Sequence, residues 1–262
     1  ARAVVQAALR DLLTDPYDIA RTETTQVFQE HVLGSAAYEE TYQLRPRFDL
    51  PSLLYTADRP LLDADHRRRL DDWTQTDRAR ICVYTARPSL PPLDSYASLA
   101  HRPAGFSPEA ELAVQLVDLP DYPLIAMGRM QWLAQQTDQR VEALTKPAPV
   151  QALAAIGAAM SRQEAASLMS AFQLASRRIL IEPLAALRGE APDVWVIEDA
   201  TLGLQAARGA IELLRAVGIH ARLHGIGVSA GGPKAEALKP FCETLVPDVN
   251  AAIDYLTRAI DA

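Results

Sequence analysis

The first 75 positions carry apolar residues at helical spacing, interrupted by turn-forming residues. The first such run ends at the Asp15-Pro16 pair. Its apolar members are Val4, Val5, Ala8, Leu9 and Leu12. The prolines of residues 44–51 predict a loop, and residues 63–73 predict a polar helix. We therefore expect residues 1–76 to form a mostly helical subdomain.

From Arg80 onwards, short and continuous apolar runs alternate with helical patterns. The predicted strands are Ile81–Thr85, Leu124–Met127, Asp193–Ile197, Ala221–Val228 and Thr244–Val246. The predicted helices are 107–117, one opening at Gly128, 148–159, one from a Ser161/Glu164 capping box towards Leu187, 202–217, and 248–260. This alternation predicts an α/β core at residues 77–262. We expect a Rossmann-like doubly wound parallel sheet, which binds ligands beyond the carboxyl ends of its strands.

Composition narrows the class of protein. Apolar residues make up 49% of the 262 positions and charged residues 23%, as in ordinary globular domains. The net charge of −7 and the short longest basic run, His66–Arg69, argue against a nucleic-acid-binding surface. Two cysteines are too few for a disulfide framework, and no apolar run reaches membrane-spanning length. We expect a cytoplasmic protein; no feature fixes its oligomeric state.

Three candidate site features lie at predicted element ends. The Thr85 hydroxyl could donate to a phosphoryl oxygen, or it could cap the next turn. Lys146 precedes prolines at a helix start, where a cation is unfavourable unless an anion binds nearby; a solvated surface lysine is the alternative. Glu198 and Asp199 follow a strand directly. Adjacent carboxylates there suit Mg²⁺, whereas Asp199 alone could simply cap the following helix.

Three segments resemble motifs two, three and four of the haloacid dehalogenase superfamily. They are Tyr84-Thr-Ala-Arg87, Thr145-Lys-Pro-Ala-Pro149 and Val196-Ile-Glu-Asp-Ala-Thr-Leu-Gly203. The resemblance covers the chain from about Arg80 to its last residue. It implies that Thr85 holds a phosphate, that Lys146 neutralises phosphoryl charge, and that Glu198 and Asp199 bind Mg²⁺. The implied activity is hydrolysis of a small phosphorylated metabolite through an aspartyl-phosphate.

The chain departs from that family at its first motif, a strand ending in Asp-x-Asp. Asp63-Ala-Asp65 is the sole Asp-x-Asp, but it follows a proline turn and precedes a charged run. It predicts a surface helix N-terminus. We therefore expect the strand with the nucleophilic aspartate to lie upstream of Ala1, with residues 1–76 as the cap inserted after it.

Two alternatives to a phosphohydrolase remain open. The first is a non-catalytic member of the same fold that binds a ligand or a partner. The second is an oxidoreductase using the Gly225–Gly231 stretch, although the glycine spacing differs from a dinucleotide fingerprint and a loop at the rim of the site is expected there. His220 and His224 lie four apart on a predicted strand, too far apart to share one metal.

Overall fold

The structure is a computed structural model that describes residues 2–13, 19, 22–95 and 106–260. The helices are α1 Arg2–Leu13, α2 Glu23–Leu33, α3 Ser35–Tyr42, α4 Leu53–Thr56, α5 Ala64–Gln75, α6 Glu109–Leu116, α7 Met127–Thr137, α8 Val150–Ser161, α9 Glu164–Arg177, α10 Thr201–Ala216, α11 Gly232–Leu238 and α12 Val249–Ile260. The strands are β1 Val83–Tyr84, β2 Leu124–Ile125, β3 Asp193–Glu198, β4 Arg222–Val228 and β5 Thr244–Val246. The predicted α/β class is confirmed.

The five strands of the described residues pair in parallel, in two sheets. β1 pairs with β2, and β3, β4 and β5 pair in that order. Helices α8 and α10 lie side by side over one face of both sheets. Their apolar side chains enter a single core that includes Ile125 of the first sheet and Val196 of the second. The two sheets therefore share one layer, although no ladder joins them within the described residues.

A buried carboxylate organises the helices ahead of β1. Glu30 of α2 accepts hydrogen bonds from the backbone N–H groups of Arg47 and Phe48 and from the Ser35 hydroxyl. Burial alone would raise the pKa of Glu30, but these donors hold it below its usual value. The residues at 44–51 form the predicted loop, and Glu30 fixes that loop against α2.

Helix α5 begins as the sequence predicts. Asp63 is its N-cap and accepts from the backbone N–H groups of Asp65 and His66, with about half of its side chain exposed. The expectation of a surface helix N-terminus is confirmed. Farther along α5, Trp73 packs against Ile253 of α12. This helix, placed by sequence in the cap range, thus lies against the last helix.

Two sequence predictions about helix α9 are wrong, one about its start and one about its end. The expected capping box does not form, because Glu164 turns inwards to accept from the Leu124 N–H and from Arg129. The helix that it opens ends at Arg177 instead of continuing towards Leu187, since Arg178 takes a left-handed φ of 58°. Residues 184–187 form a separate 3₁₀ turn.

The glycine stretch is also corrected in part. Gly225 and Gly227 lie inside β4 and are not part of a loop. A Cβ at Gly227 would come within 2.9 Å of Leu245 and 3.0 Å of the Cys242 sulfur, so these glycines let β4 pack closely against the next segment. Among the described residues, no helix has both the length and the apolar character that a membrane crossing needs.

Candidate functional site

Lys146 and Glu198 are brought together although they lie 52 positions apart. The Lys146 ammonium donates to the Glu198 carboxylate, and their side chains are only 12% and 10% exposed. The lysine stands on the turn before α8, and the glutamate is the last residue of β3. Lys146 is therefore not the solvated surface lysine of the alternative interpretation. Its partner is a carboxylate at the carboxyl end of a strand.

The Tyr84 ring packs against one side of the Lys146–Glu198 ion pair. The Lys146 nitrogen lies 3.7 Å from the centre of the Tyr84 ring, a cation–π contact, and the Tyr84 hydroxyl donates to the Gly203 carbonyl at 3.1 Å. Burial, and then the neighbouring Glu198 charge, raises the pKa of Tyr84 above its usual value. Tyr84 ends β1, so the carboxyl ends of β1 and β3 meet around Lys146.

Gly203 leaves the space that the Glu198 carboxylate occupies. A Cβ built on Gly203, in the first turn of α10, would lie 1.6 Å from Glu198 Oε1 and 2.2 Å from its Cδ. No side chain fits there while Glu198 keeps its position. The position of the Glu198 carboxylate therefore requires a glycine here.

Asp199 lies beside this pair and is more open. Its backbone N–H donates to Glu198 Oε2 at 3.1 Å, and its carboxylate accepts from Lys234 of α11 at 2.6 Å. The side chains of Asp199 and Lys234 are both more than half exposed. Ala200 is the N-cap of α10, so Asp199 is not the helix cap that the alternative proposed.

Thr85 follows β1 directly and is held through its backbone. Gln151 of α8, itself buried, donates to the Thr85 carbonyl at 2.8 Å and to the Ile125 carbonyl at 3.2 Å, which ties the ends of β1 and β2 together. The Thr85 hydroxyl accepts from the Arg87 N–H at 3.2 Å. This bond is the turn-capping role; the hydroxyl can still donate its own proton elsewhere.

Arg87 connects the helices ahead of β1 to the core. Its guanidinium donates to Asp58, just after α4, at 3.2 Å and to Glu109 of α6 at 3.1 Å. Burial raises the pKa of Glu109 despite hydrogen bonds from Gln29 and Arg87. This polar connection borders a cavity of about 400 Å³ whose lining includes Thr85.

The donors for a cation are limited in the described part of the chain. No group of three or more His, Cys, Asp or Glu side chains there is arranged to hold a metal ion. Glu198 and Asp199 are adjacent hard oxygen donors, and each is paired with a lysine. Mg²⁺ often uses one or two carboxylates and completes its octahedron with water and phosphate oxygens. The donor set therefore fits that ion when a phosphate binds with it.

Four residues of this site were missed by sequence reasoning: Tyr84, Gln151, Gly203 and Lys234. Tyr84 and Gly203 stood inside quoted motifs, but their contacts depend on how two sheets meet. Gln151 had a usable signal, because a glutamine in an otherwise apolar helix start must find a buried partner. Lys234 lies in a short helix with no pattern that pointed to Asp199.

Comparison with known proteins gives a fold-level match. No family model matches the chain, and no curated protein matches it. A crystal structure of a Northeast Structural Genomics Consortium target is similar, with a TM-score of 0.55 and 14% sequence identity. The match covers 90% of this chain and 53% of that one. This chain thus corresponds to about half the length of its structural neighbour, and the likeness concerns the fold alone.

Proposed function

We propose that this chain carries the phosphate and magnesium site of a haloacid dehalogenase-like phosphohydrolase that acts on a small phosphorylated metabolite. The main support is the buried ion pair between Lys146 and Glu198, which lies where the carboxyl ends of β1 and β3 meet. Burying two charges is costly, and hydrophobic replacements of such pairs are often as stable. A pair kept at the ligand-binding end of parallel strands is better explained by function.

The charges of the site suit a metal–phosphate complex. Glu198 and Asp199 contribute two negative charges, and Lys146 and Lys234 contribute two positive ones. Mg²⁺ and a phosphate dianion together add no net charge. Lys146 and Lys234 would turn from the carboxylates to phosphoryl oxygens, and the carboxylates would turn to the cation. Mg²⁺ supplies Lewis-acid neutralisation of the phosphoryl group.

The remaining parts of the proposal are the nucleophile and the complete sheet. An aspartyl-phosphate mechanism needs a carboxylate in line with phosphorus. Asp63 is already engaged in capping α5 and does not serve. The nucleophile would come from a segment outside these 262 residues, and the sheet would then be a Rossmann-like, doubly wound one covered by the helical cap of residues 1–76. The protein would be cytoplasmic.

Magnesium binding tests the site directly. Isothermal titration calorimetry should show Mg²⁺ binding in the presence of inorganic phosphate, and Asp199→Ala should weaken it by at least about tenfold, or about 1.4 kcal/mol. Asp72→Ala removes an exposed carboxylate on α5 and serves as the matched control. Equal affinities in the wild-type and Asp199→Ala proteins would contradict the assignment.

Phosphatase activity tests whether the nucleophilic aspartate lies outside these 262 residues. The 262-residue chain should hydrolyse an aryl phosphate little or not at all, and a chain extended by its native upstream residues should gain activity. Robust turnover by the 262-residue chain that disappears in Asp63→Asn would show that Asp63 is the nucleophile after all.

A non-catalytic binding protein of the same fold is the second candidate. It is favoured by the capping role of Asp63, because no other Asp-x-Asp occurs in the chain. An extended chain that contains an Asp-x-Asp strand, binds Mg²⁺ and phosphate, and still lacks turnover would support it.

A further inference from the structure

Lys146 has two neighbours of different chemistry in the candidate site. Its ammonium donates to the Glu198 carboxylate, and its nitrogen lies 3.7 Å from the centre of the Tyr84 ring. The lysine side chain is only 12% exposed, so little water is left to solvate the ammonium. An aromatic face attracts a desolvated cation more strongly than a hydrated one at the surface. The Tyr84 ring therefore contributes to the position of the ammonium, beside the carboxylate.

The Tyr84 ring is fixed at both of its ends. Its backbone belongs to β1 and pairs in register with Ile125 of β2. At the far end of the ring, the hydroxyl donates to the Gly203 carbonyl of α10 at 3.1 Å. Lysine, in contrast, carries its charge on a flexible four-carbon stem. A ring that is fixed at both ends can thus set where this flexible side chain places its ammonium.

Core packing alone does not require a tyrosine at this position. Residues 81–83 are Ile-Cys-Val, and aliphatic residues are the usual content of a parallel strand covered on both faces. Tyr84 packs against the main core as such a residue would. It also brings a hydroxyl into the interior, which needs a hydrogen-bond partner there. A test of its role must therefore separate the aromatic face from the volume that the side chain fills.

The ring matters most in the ligand-bound state of the proposed function, on which this step rests. In that state Glu198 turns to Mg²⁺ and no longer pairs with Lys146. A lysine without another contact would return to its many rotamers, and ordering it again would weaken phosphate binding. The Tyr84 hydroxyl is bonded to a backbone carbonyl, so the ring has no reason to move when Glu198 does. Its face stays available to the ammonium.

We propose that Tyr84 is a positioning residue for Lys146. Its ring keeps the ammonium over its face before and after Glu198 moves to the metal, so that the lysine is already placed for the phosphoryl oxygens. Tyr84 itself does not touch the phosphate. Because the role belongs to the aromatic face, phenylalanine should replace tyrosine at this position, and leucine should not.

NMR of the lysine side chains tests the contact directly. The sequence contains three lysines, at positions 146, 234 and 239, so protein made with ¹³C-labelled lysine gives three sets of side-chain signals. An aromatic ring shifts protons above its face upfield. The ε-methylene protons of Lys146 should therefore lie upfield of those of Lys234 and Lys239, which are both more than half exposed and serve as internal controls. This shift should remain in Tyr84→Phe, vanish in Tyr84→Leu, and persist in the wild-type protein when Mg²⁺ and inorganic phosphate are added together.

Isothermal titration calorimetry with Mg²⁺ and inorganic phosphate measures the consequence for binding. Tyr84→Leu should weaken the affinity by about tenfold, which is the size expected of a desolvated cation–π contact, whereas Tyr84→Phe should stay within about threefold of the wild type. Tyr122→Leu is the matched control, because it removes another buried tyrosine, which precedes β2 and donates to Asp71 of α5. The control should keep both the Lys146 shift and the affinity.

The outcomes separate this inference from the proposed function. Equal affinities of the wild-type and Tyr84→Leu proteins would overturn the inference alone. Loss of the Lys146 upfield shift when Mg²⁺ and phosphate bind to the wild-type protein would also overturn it, and that measurement needs no substituted protein. A wild-type protein that binds neither Mg²⁺ nor phosphate would overturn the proposed function, and the inference with it.

Discussion

Replacing Gly203 by alanine should break the Lys146–Glu198 ion pair while both charged residues stay in the sequence. The added Cβ would lie 1.6 Å from Glu198 Oε1 and 2.6 Å from its Cγ, so the carboxylate must leave its position. Separating a pair that is only 10–12% exposed costs up to about 3–5 kcal/mol, and alanine returns about 1 kcal/mol in helix propensity. We expect a net loss of about 2–4 kcal/mol.

Urea denaturation of Gly203→Ala measures this loss, and Gly209→Ala is its matched control. Both glycines lie in α10, but a Cβ at Gly209 would meet only Pro149 at an ordinary 3.4 Å. Gly209→Ala should be neutral or stabilising by up to about 1 kcal/mol. In a Glu198→Ala background the clash is gone, and Gly203→Ala should then behave like Gly209→Ala. Equal stabilities of the two single variants in the native background would refute this account of Gly203.

Three further predictions concern residues outside the pair. Arg129 is 1% exposed and forms ion pairs with Glu111 and Glu164. Arg129→Met should lower the free energy of unfolding, measured by urea denaturation, by about 3–5 kcal/mol, because both carboxylates lose their buried partner. A loss below about 1 kcal/mol would contradict this. Arg87→Ala should speed protease cleavage near Asp58 several-fold, because the bond from Arg87 to Asp58 after α4 is gone, and it should also lower Tm, because the buried Glu109 loses its ion-pair partner. Burial would lower the pKa of His224, but hydrogen bonds and charges from Asp193 and Glu243 raise it above its usual value. The stability that protonated His224 contributes should be complete below about pH 6.5 and should fade as pH rises through the pKa of His224 in the folded protein. His224→Gln should remove this pH dependence from the free energy of unfolding.

The sequence predicted the positions of elements better than their connections. The apolar runs located the five strands of the described residues. Glu198 was singled out at a strand end and Lys146 at a helix start, on the side where a parallel sheet binds ligands. β1 and β2 are shorter than predicted, because ladder length depends on the neighbouring strand and not on the run itself. Glu164 shows the same limit. Its sequence pattern predicted a capping box, but its carboxylate instead accepts a hydrogen bond from the buried Arg129.

The candidate site was predictable by residue type but not by contact. Their places at predicted strand and helix ends singled out the acids and the lysine, whereas the fit of Glu198 over Gly203 depends on how α10 enters after β3. Thr85 carries the turn-capping bond that its sequence allowed as one of two roles, and its contact with phosphate stays a prediction. Lys234 comes from a helix of seven residues, which offers no periodicity to interpret.

The packing of α5 on α12 bears on how the protein is made. The Trp195 ring stacks on His224 and meets the ring of Tyr255 of α12 edge-on, and Trp195 and Trp73 of α5 belong to one apolar cluster. Asn250 also donates to the Leu61 carbonyl, 189 positions earlier. During synthesis, α5 emerges long before α12 and must wait for it with Trp73 uncovered. Native packing of Trp73 should therefore be completed only after the segment 249–260 has left the ribosome.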